Sequence, residues 1–262
     1  MQRGYLHLAA ALVVLAALGA TVLWLGLGAG GGSSPPALPA ASGDKPAATT
    51  PKRRPATLSI ARRGHPVVWL KLGHRATLRT QPGGGRVVAR VGDHTQFGDR
   101  TAFAVLAQRG RWAGVPTTML PNGKLAWIRL DPRDLRSGAT PYEIVVDLSA
   151  YRARLLRGRR VVRSFPVTIG APGSETPSGR FAVTDEFRGT LDRAAYGCCA
   201  LALSATQPHV PSGWLGGNII AIHGTSGPLG VAASHGCVRA ADADVRAVEN
   251  AVPLGTPVII RP

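Results

Sequence analysis

The chain has 262 residues, 45% of them hydrophobic and 5% aromatic, enough for one or two modest cores beside stretches that bury nothing. Its 31 Lys and Arg against 14 Asp and Glu leave a net charge of +17 at pH 7, which suits anionic partners. Nucleic acid is excluded as that partner because no basic stretch is interleaved with aromatics and no recognition helix is legible. The three cysteines, two of them adjacent, leave no disulfide framework to infer.

Met1-Gln2-Arg3 precedes an apolar run from Leu6 to Leu27 with no polar face. As a helix this run spans about 33 Å, the thickness of a bilayer core. Residues 1–28 therefore read as a signal anchor or a cleaved signal peptide, and the length and Trp24 near the far end favour the anchor. Residues 29–56 are rich in Gly, Ser, Pro and Ala, too poor in apolar bulk for a core and stiffened by proline into a spacer. Lys52-Arg53-Arg54 closes the spacer, a basic run suited to anionic lipid heads or simply to solvent.

Residues 57–138 show short apolar runs broken by turns, which predicts about five strands. Val67–Leu70, Arg86–Val91, Phe103–Ala107 and Ala126–Leu130 are four of them, and Pro82–Gly85 and Pro121–Lys124 are turns, the second a hairpin signal. The run from Arg111-Trp112 to Ala126-Trp127-Ile128 is similar to bacterial SH3-like domains, which implies a small accessory barrel that touches wall polymer. A packing domain without a ligand is the alternative. With 14 basic against 4 acidic residues over 57–140, this part carries most of the excess charge.

Residues 140–262 also read as mainly β. Glu143–Leu148, Val161–Ile169, Phe181–Thr184 and Pro257–Ile260 are strands, and Arg152–Arg163 is a hairpin with one wet face. Asn218–Ile222 is a strand that delivers His223 at its end. Asp242 to Ala251 is the one convincing helix, with Asp242 as its cap and Pro253 as its stop. Cys198 and Cys199 lie in an apolar run, read as core thiols on opposite faces of a strand, with a vicinal disulfide as the lesser alternative.

The chemistry concentrates in two glycine-flanked motifs. His223 stands in Ile-His-Gly-Thr, and Cys237 in Ser-His-Gly-Cys-Val-Arg, Ser234 to Arg239. A thiol attacks as thiolate, and a nearby imidazole is the usual acceptor of its proton. Gly224 and Gly236 open the backbone around these side chains, and the N–H groups of Gly236 and Cys237, with His235, are candidates to meet an oxyanion. A zinc site from His209, His223, His235 and Cys237 finds no support in their spacing.

At these residues the sequence resembles the L,D-transpeptidase family with its YkuD-type catalytic domain. Thr176-Pro177-Ser178-Gly179-Arg180-Phe181, after Phe165–Gly170, extends the resemblance backwards, so that it covers residues 140–262. The resemblance implies a β-sandwich or barrel catalytic domain with one short helix, Cys237 as nucleophile and His223 as base. Members with Ser after the first histidine use it to complete a triad; Gly224 stands there, so a backbone carbonyl must orient the imidazole. Arg239 would hold a substrate carboxylate, Ser234 and Thr225 would hydrogen-bond around it, and His235 would shape the site.

The implied reaction is 3→3 cross-linking of peptidoglycan stem peptides, without cofactor or metal. The implied location is the bacterial cell envelope, with the catalytic domain outside the cytoplasm, held by the N-terminal helix or secreted. Water as acceptor would make the protein an L,D-carboxypeptidase, and a vestigial site would leave a wall-binding protein.

Overall fold

Short apolar runs rich in β-branched residues and punctuated by Gly and Pro favour strands. In the computed structural model, which describes residues 56–189, 193–210 and 217–262, they form four sheets. The expected anchor and spacer, residues 1–28 and 29–56, lie outside the described residues save for Ala56. Among those described, no helix is long and apolar enough to cross a membrane.

The first part contains β1 (His65–Leu70), β2 (Arg75–Gln81), β3 (Gly84–Gly92), β4 (Ala102–Ala104), β5 (Ala107–Arg109), β6 (Trp112–Pro116), β7 (Leu125–Arg129) and β8 (Leu135–Thr140). A three-stranded sheet, β4-β1-β8, and a five-stranded one, β3-β2-β7-β6-β5, form here. Val68, Leu70, Leu78, Val115, Ile128 and Leu135 belong to one buried cluster in this part.

Eight strands stand where about five were expected. The segment Phe103–Ala107 is split because the chain changes partners within it: Val105 N–H donates to Pro66 O at 2.9 Å, and Leu106 N–H to Gly114 O at 2.9 Å. β8, which sequence left unassigned, pairs along the whole of β1 and runs past residue 138. The Pro121–Lys124 turn does form, with Lys124 N–H on Pro121 O, inside a longer connection over 117–124.

Pro141 alone separates β8 from β9 (Tyr142–Asp147). Then follow β10 (Arg152–Arg157), β11 (Arg160–Pro166), β12 (Ile169–Gly170), β13 (Gly179–Arg188), α1 (Arg193–Tyr196), β14 (Cys199–Thr206), β15 (Ile219–Thr225), β16 (Ala232–Ser234), β17 (Val238–Ala241), α2 (Asp242–Ala251) and β18 (Pro257–Arg261). Eight of these strands make one sheet in the order β11-β10-β9-β18-β13-β14-β15-β17, while β12 and β16 pair in parallel. The arginine-rich hairpin is β10–β11 at the edge of the large sheet, where its charges discourage pairing with another chain. β14 is an interior strand of that sheet, buried from Cys199 to Ala205, so both of its faces are dry.

Three local expectations change. Cys198 and Cys199 are buried, as expected, yet they are joined by a disulfide rather than held apart on a strand. Gly197, at φ 63°, and Cys198 form a turn ahead of β14, which interrupts the alternation that would put neighbouring side chains on opposite faces. Asp242 is the first helical residue, not the cap; Ala241 occupies that position and makes no side-chain bond. The carboxylate of Asp242 instead packs over Gly197 and Gly224. A second helix, the four-residue α1, was not expected, and it carries Tyr196.

The two parts are knitted by polar contacts. The Thr95 hydroxyl donates to the Asp185 carboxylate, and Glu186 N–H donates to Asp99 Oδ2 at 2.6 Å. Asn122 brackets the end of β14, donating to Thr206 O at 2.6 Å and accepting from Thr206 N–H at 3.0 Å. Gly255, at φ 83°, leaves no room for a Cβ against Val67.

Candidate active site

β15 and β17 run parallel, pairing Ile222 with Val238 and His223 with Arg239. Carried one residue back, that register sets Cys237 level with Ala221, whose N–H reaches Cys237 Sγ at 3.4 Å. His223, two residues on from Ala221, points to the same face. Cys237 and His223 thus line one cavity of about 320 Å³, with Tyr196, Gln207, Thr225, His235 and Arg239 around them. No Asp or Glu lines it among the described residues, and Arg239 makes it cationic.

His223 is buried, and its Nδ1 lies 2.8 Å from the carbonyl oxygen of Gly224. A carbonyl only accepts, so Nδ1 carries the proton and Nε2 is left with the lone pair. That is the backbone carbonyl expected to orient the ring. Gly224 is required for space, because a Cβ there would collide with the Asp242 carboxylate. The ring of Tyr196 meets the imidazole edge-on, with centroids 5.1 Å apart.

Burial, aided by the charge of Arg239, lowers the His223 pKa to about 4, against the opposing bond to Gly224. Burial raises the Cys237 thiol, while the Ala221 N–H and Arg239 pull the other way. The resting pair is therefore neutral imidazole and thiol, the arrangement of a general base waiting for a proton rather than a preformed ion pair. β17 carries the chain away from Cys237 before α2 begins.

The loop that presents Cys237 is braced from several sides. Ser234 Oγ donates to Cys237 O at 2.6 Å and accepts from Gly236 N–H at 3.1 Å. Ser234 is buried in that role and does not line the cavity, contrary to its expected part in substrate binding. Gly236 adopts φ 111°, and its N–H, expected at the oxyanion, is committed to Ser234. Its carbonyl accepts from Thr176 Oγ1 at 2.8 Å, which brings the Thr-Pro-x-Gly segment against the cysteine loop.

Arg239 and Thr225 do line the cavity, and Arg239 Nε is buried with no hydrogen-bond partner. His235 is exposed at the rim. Among the described residues no group of three or more His, Cys, Asp or Glu is placed to hold a metal ion.

Gln207 was missed by sequence reasoning. Its Nε2 donates to the carbonyls of Ser174, Glu175 and His235 at 3.0 to 3.2 Å, tying two loops together beneath Gly236. The available signal was position: Gln207 is a polar residue at the end of the long apolar run from Cys199, and it is buried. Tyr196 and Ala221 carried no such signal, since one depends on a four-residue helix and the other acts through its backbone.

The family model YkuD, the L,D-transpeptidase catalytic domain, matches residues 141–260. The L,D-transpeptidase YkuD of Bacillus licheniformis is 32% identical over 124 residues, which cover 47% of this chain and 67% of that protein. Its namesake in Bacillus subtilis strain 168 is 31% identical over 122 residues, 46% of this chain and 66% of that protein. Among solved structures, an L,D-transpeptidase from Mycobacterium smegmatis aligns with a TM-score of 0.40 and 15% identity, covering 60% of this chain and 80% of that one. The match to the two Bacillus proteins leaves about a third of their length uncovered. Residues 141–260 hold both the His223 and the Cys237 motifs within the matched family region, and on that region and the 32% identity the chain belongs to the YkuD family of L,D-transpeptidase catalytic domains.

Proposed function

We propose that the protein is a peptidoglycan L,D-transpeptidase that forms 3→3 cross-links through an acyl-enzyme on Cys237. The observation that carries this reading is the neutral His223, its tautomer set by Gly224 O, in the same cationic cavity as the Cys237 thiol. In the first step Cys237 Sγ attacks the carbonyl of the third residue of a donor stem while His223 Nε2 takes the thiol proton. The backbone N–H of Cys237 meets the oxyanion, since that of Gly236 is engaged with Ser234. His223 then passes the proton to the departing amine of terminal D-alanine, leaving a thioester. An amine of a second stem attacks the thioester, His223 accepts its proton, and the thiol is regenerated.

Arg239 is suited to the donor carboxylate, because it lines the cavity and its buried Nε has no hydrogen-bond partner in the fold. Thr225 borders the same space, and His235 shapes its rim. Such a substrate lies in the cell envelope, so the catalytic part works outside the cytoplasm, with residues 1–28 as its anchor and 29–56 as its spacer. Residues 57–138 act as an accessory β module.

Incubation of the purified protein with stem tetrapeptide, followed by intact-mass measurement and product analysis, tests the reading. A tripeptidyl adduct on Cys237 and a cross-linked product are expected. Hydrolysed tripeptide alone would make the protein a carboxypeptidase, and an adduct on any other residue would sink the mechanism.

A further inference from the structure

A second cavity, of about 300 Å³, lies on the seam between the two parts of the fold. Its walls include Arg90, Phe97 and Met119 from the first part and Thr184, Asp185 and Ile219 from the second. Ile219 also lines the cavity that holds Cys237, so the two spaces share a wall. The strand register gives the spacing. Asp185 pairs with Ala202, Ala202 pairs with Ala221, and Ala221 N–H reaches Cys237 Sγ. These four positions lie level across the sheet, about 14 Å from end to end at about 4.8 Å per strand.

Ile219 is nearer still, two residues along β15 from Ala221, or about 7 Å. A group bound in the seam needs only an extended reach of two or three residues to arrive at the thiol.

Group transfer needs two substrates, and the catalytic cavity suits only one of them. Among the described residues it is lined by Arg239 and by no carboxylate, a charge that suits the carboxylate of the donor. The seam cavity suits the rest of an acceptor peptide: the cationic Arg90 for a carboxylate, the Thr184 hydroxyl for a hydrogen bond, the Asp185 carboxyl held in the wall by Thr95, and the apolar surfaces of Phe97 and Met119. Phe97 and Met119 are also exposed large hydrophobics, 48% and 55% accessible, which leaves them free to cover a ligand.

We propose that this seam cavity binds the acyl acceptor, an amine-bearing peptide that also carries carboxylates, and directs its amine past Ile219 to the thioester on Cys237. The inference rests on the transpeptidase reading above. It assigns the first part of the fold a share in the reaction itself: its loops at 95–99 and 117–119 build one wall of the acceptor site. The bond formed is the amide between the acceptor nitrogen and the donor acyl carbon, the bond broken is the thioester, and the amine proton leaves on His223.

The test separates the two half-reactions in the full chain. The donor is a stem tetrapeptide with its side-chain amine acetylated, and the acceptor is a stem tripeptide with that amine free. Met119→Trp fills the cavity and Phe97→Ser removes part of its wall. Both variants are expected to lower the ratio of transfer to hydrolysis about tenfold and to raise the acceptor concentration that half-saturates transfer, with donor acylation of Cys237 within about twofold of the parent. An unchanged ratio in both variants, with normal acylation, would overturn the inference and leave the transpeptidase reading standing. An equal fall in acylation would also overturn it, since the cavity would then serve the donor or the fold. A parent protein that is never acylated by the donor would bring down the transpeptidase reading first, and this inference with it.

Discussion

The framework ion pairs of the fold and the cavity that holds Cys237 treat charge in opposite ways. In residues 56–140 the buried carboxylate of Asp131 is paired with Arg133, through bonds of 3.1 and 2.8 Å, and is held at about 2. In residues 141–262 the Asp147 carboxylate is likewise lowered by its bond to Arg261, but burial pushes His223 and Cys237, which line the cavity, towards their neutral forms, and it also raises Asp185 and Glu249. The framework pairs keep their charge beside water, and the cavity removes water and lets the proton decide. Perturbation by desolvation inside a cleft is the pattern of a reaction centre, whereas pairing is the pattern of a framework. The difference shows why the chemistry belongs to the second part although most of the charge sits on the first.

The largest effect should come from the nucleophile. Cys237→Ala is expected to abolish covalent adduct formation with a carbapenem-type acylating agent, while the disulfide-bonded Cys198 and Cys199 stay unmodified. Peptide mapping by mass spectrometry would refute this if the adduct lay elsewhere. Next, His223→Ala should slow acylation by about 10² or more, the range for loss of a general base. His235→Ala should cost less, because the ring is exposed at the rim while its carbonyl, which the substitution keeps, holds Gln207. Stopped-flow acylation rates in the reverse order would exchange the two roles.

The pH dependence of stability sharpens the contrast between the parts. A folded pKa of about 4 for His223 lies below its unfolded value of about 6.5. Its stabilising contribution is therefore present above pH 6.5 and lost as pH falls towards 4, by about 3 kcal/mol at most. Urea unfolding followed from pH 7 to 4 should show that loss, and His223→Gln should flatten it. The Asp131 pair is expected to weaken only at lower pH, because its carboxyl is held at about 2.

A smaller effect tests the seam. Asn122→Ala strips both backbone bonds from Thr206 at the end of β14, and should destabilise by about 1 kcal/mol, the lower end of the cost of unpaired polar groups because these are only partly buried. Thermal unfolding of that variant within 1 °C of the parent would mean that the two parts are only loosely joined. The smallest effect concerns docking: the chain lacking residues 1–56 should sediment with cell walls at 0.1 M salt and be released at 1 M, as the screening length falls from about 10 Å to about 3 Å. Salt-insensitive sedimentation would remove any electrostatic role for the 14 basic residues of the first part.

The sequence by itself determined the class of fold, the two motifs and the candidate residues for the reaction. Strand periodicity is local, and glycine around a histidine and a cysteine is a local requirement, so β15, β17, His223 and Cys237 could be read directly. It also determined that a backbone carbonyl must orient His223, since Gly224 has no side chain to offer.

Only the tertiary structure decided which groups are committed elsewhere. Ser234 and the Gly236 N–H looked available in the motif, but they bond to each other once the loop closes. Gln207 and Thr176 gained their roles because distant loops meet beneath Gly236, a contact that no local pattern encodes. The split of Phe103–Ala107 and the pairing of β8 with β1 likewise depend on partners far along the chain. The pKa directions of His223 and Cys237 follow from burial, and burial is a property of the assembled sheet rather than of any residue in it.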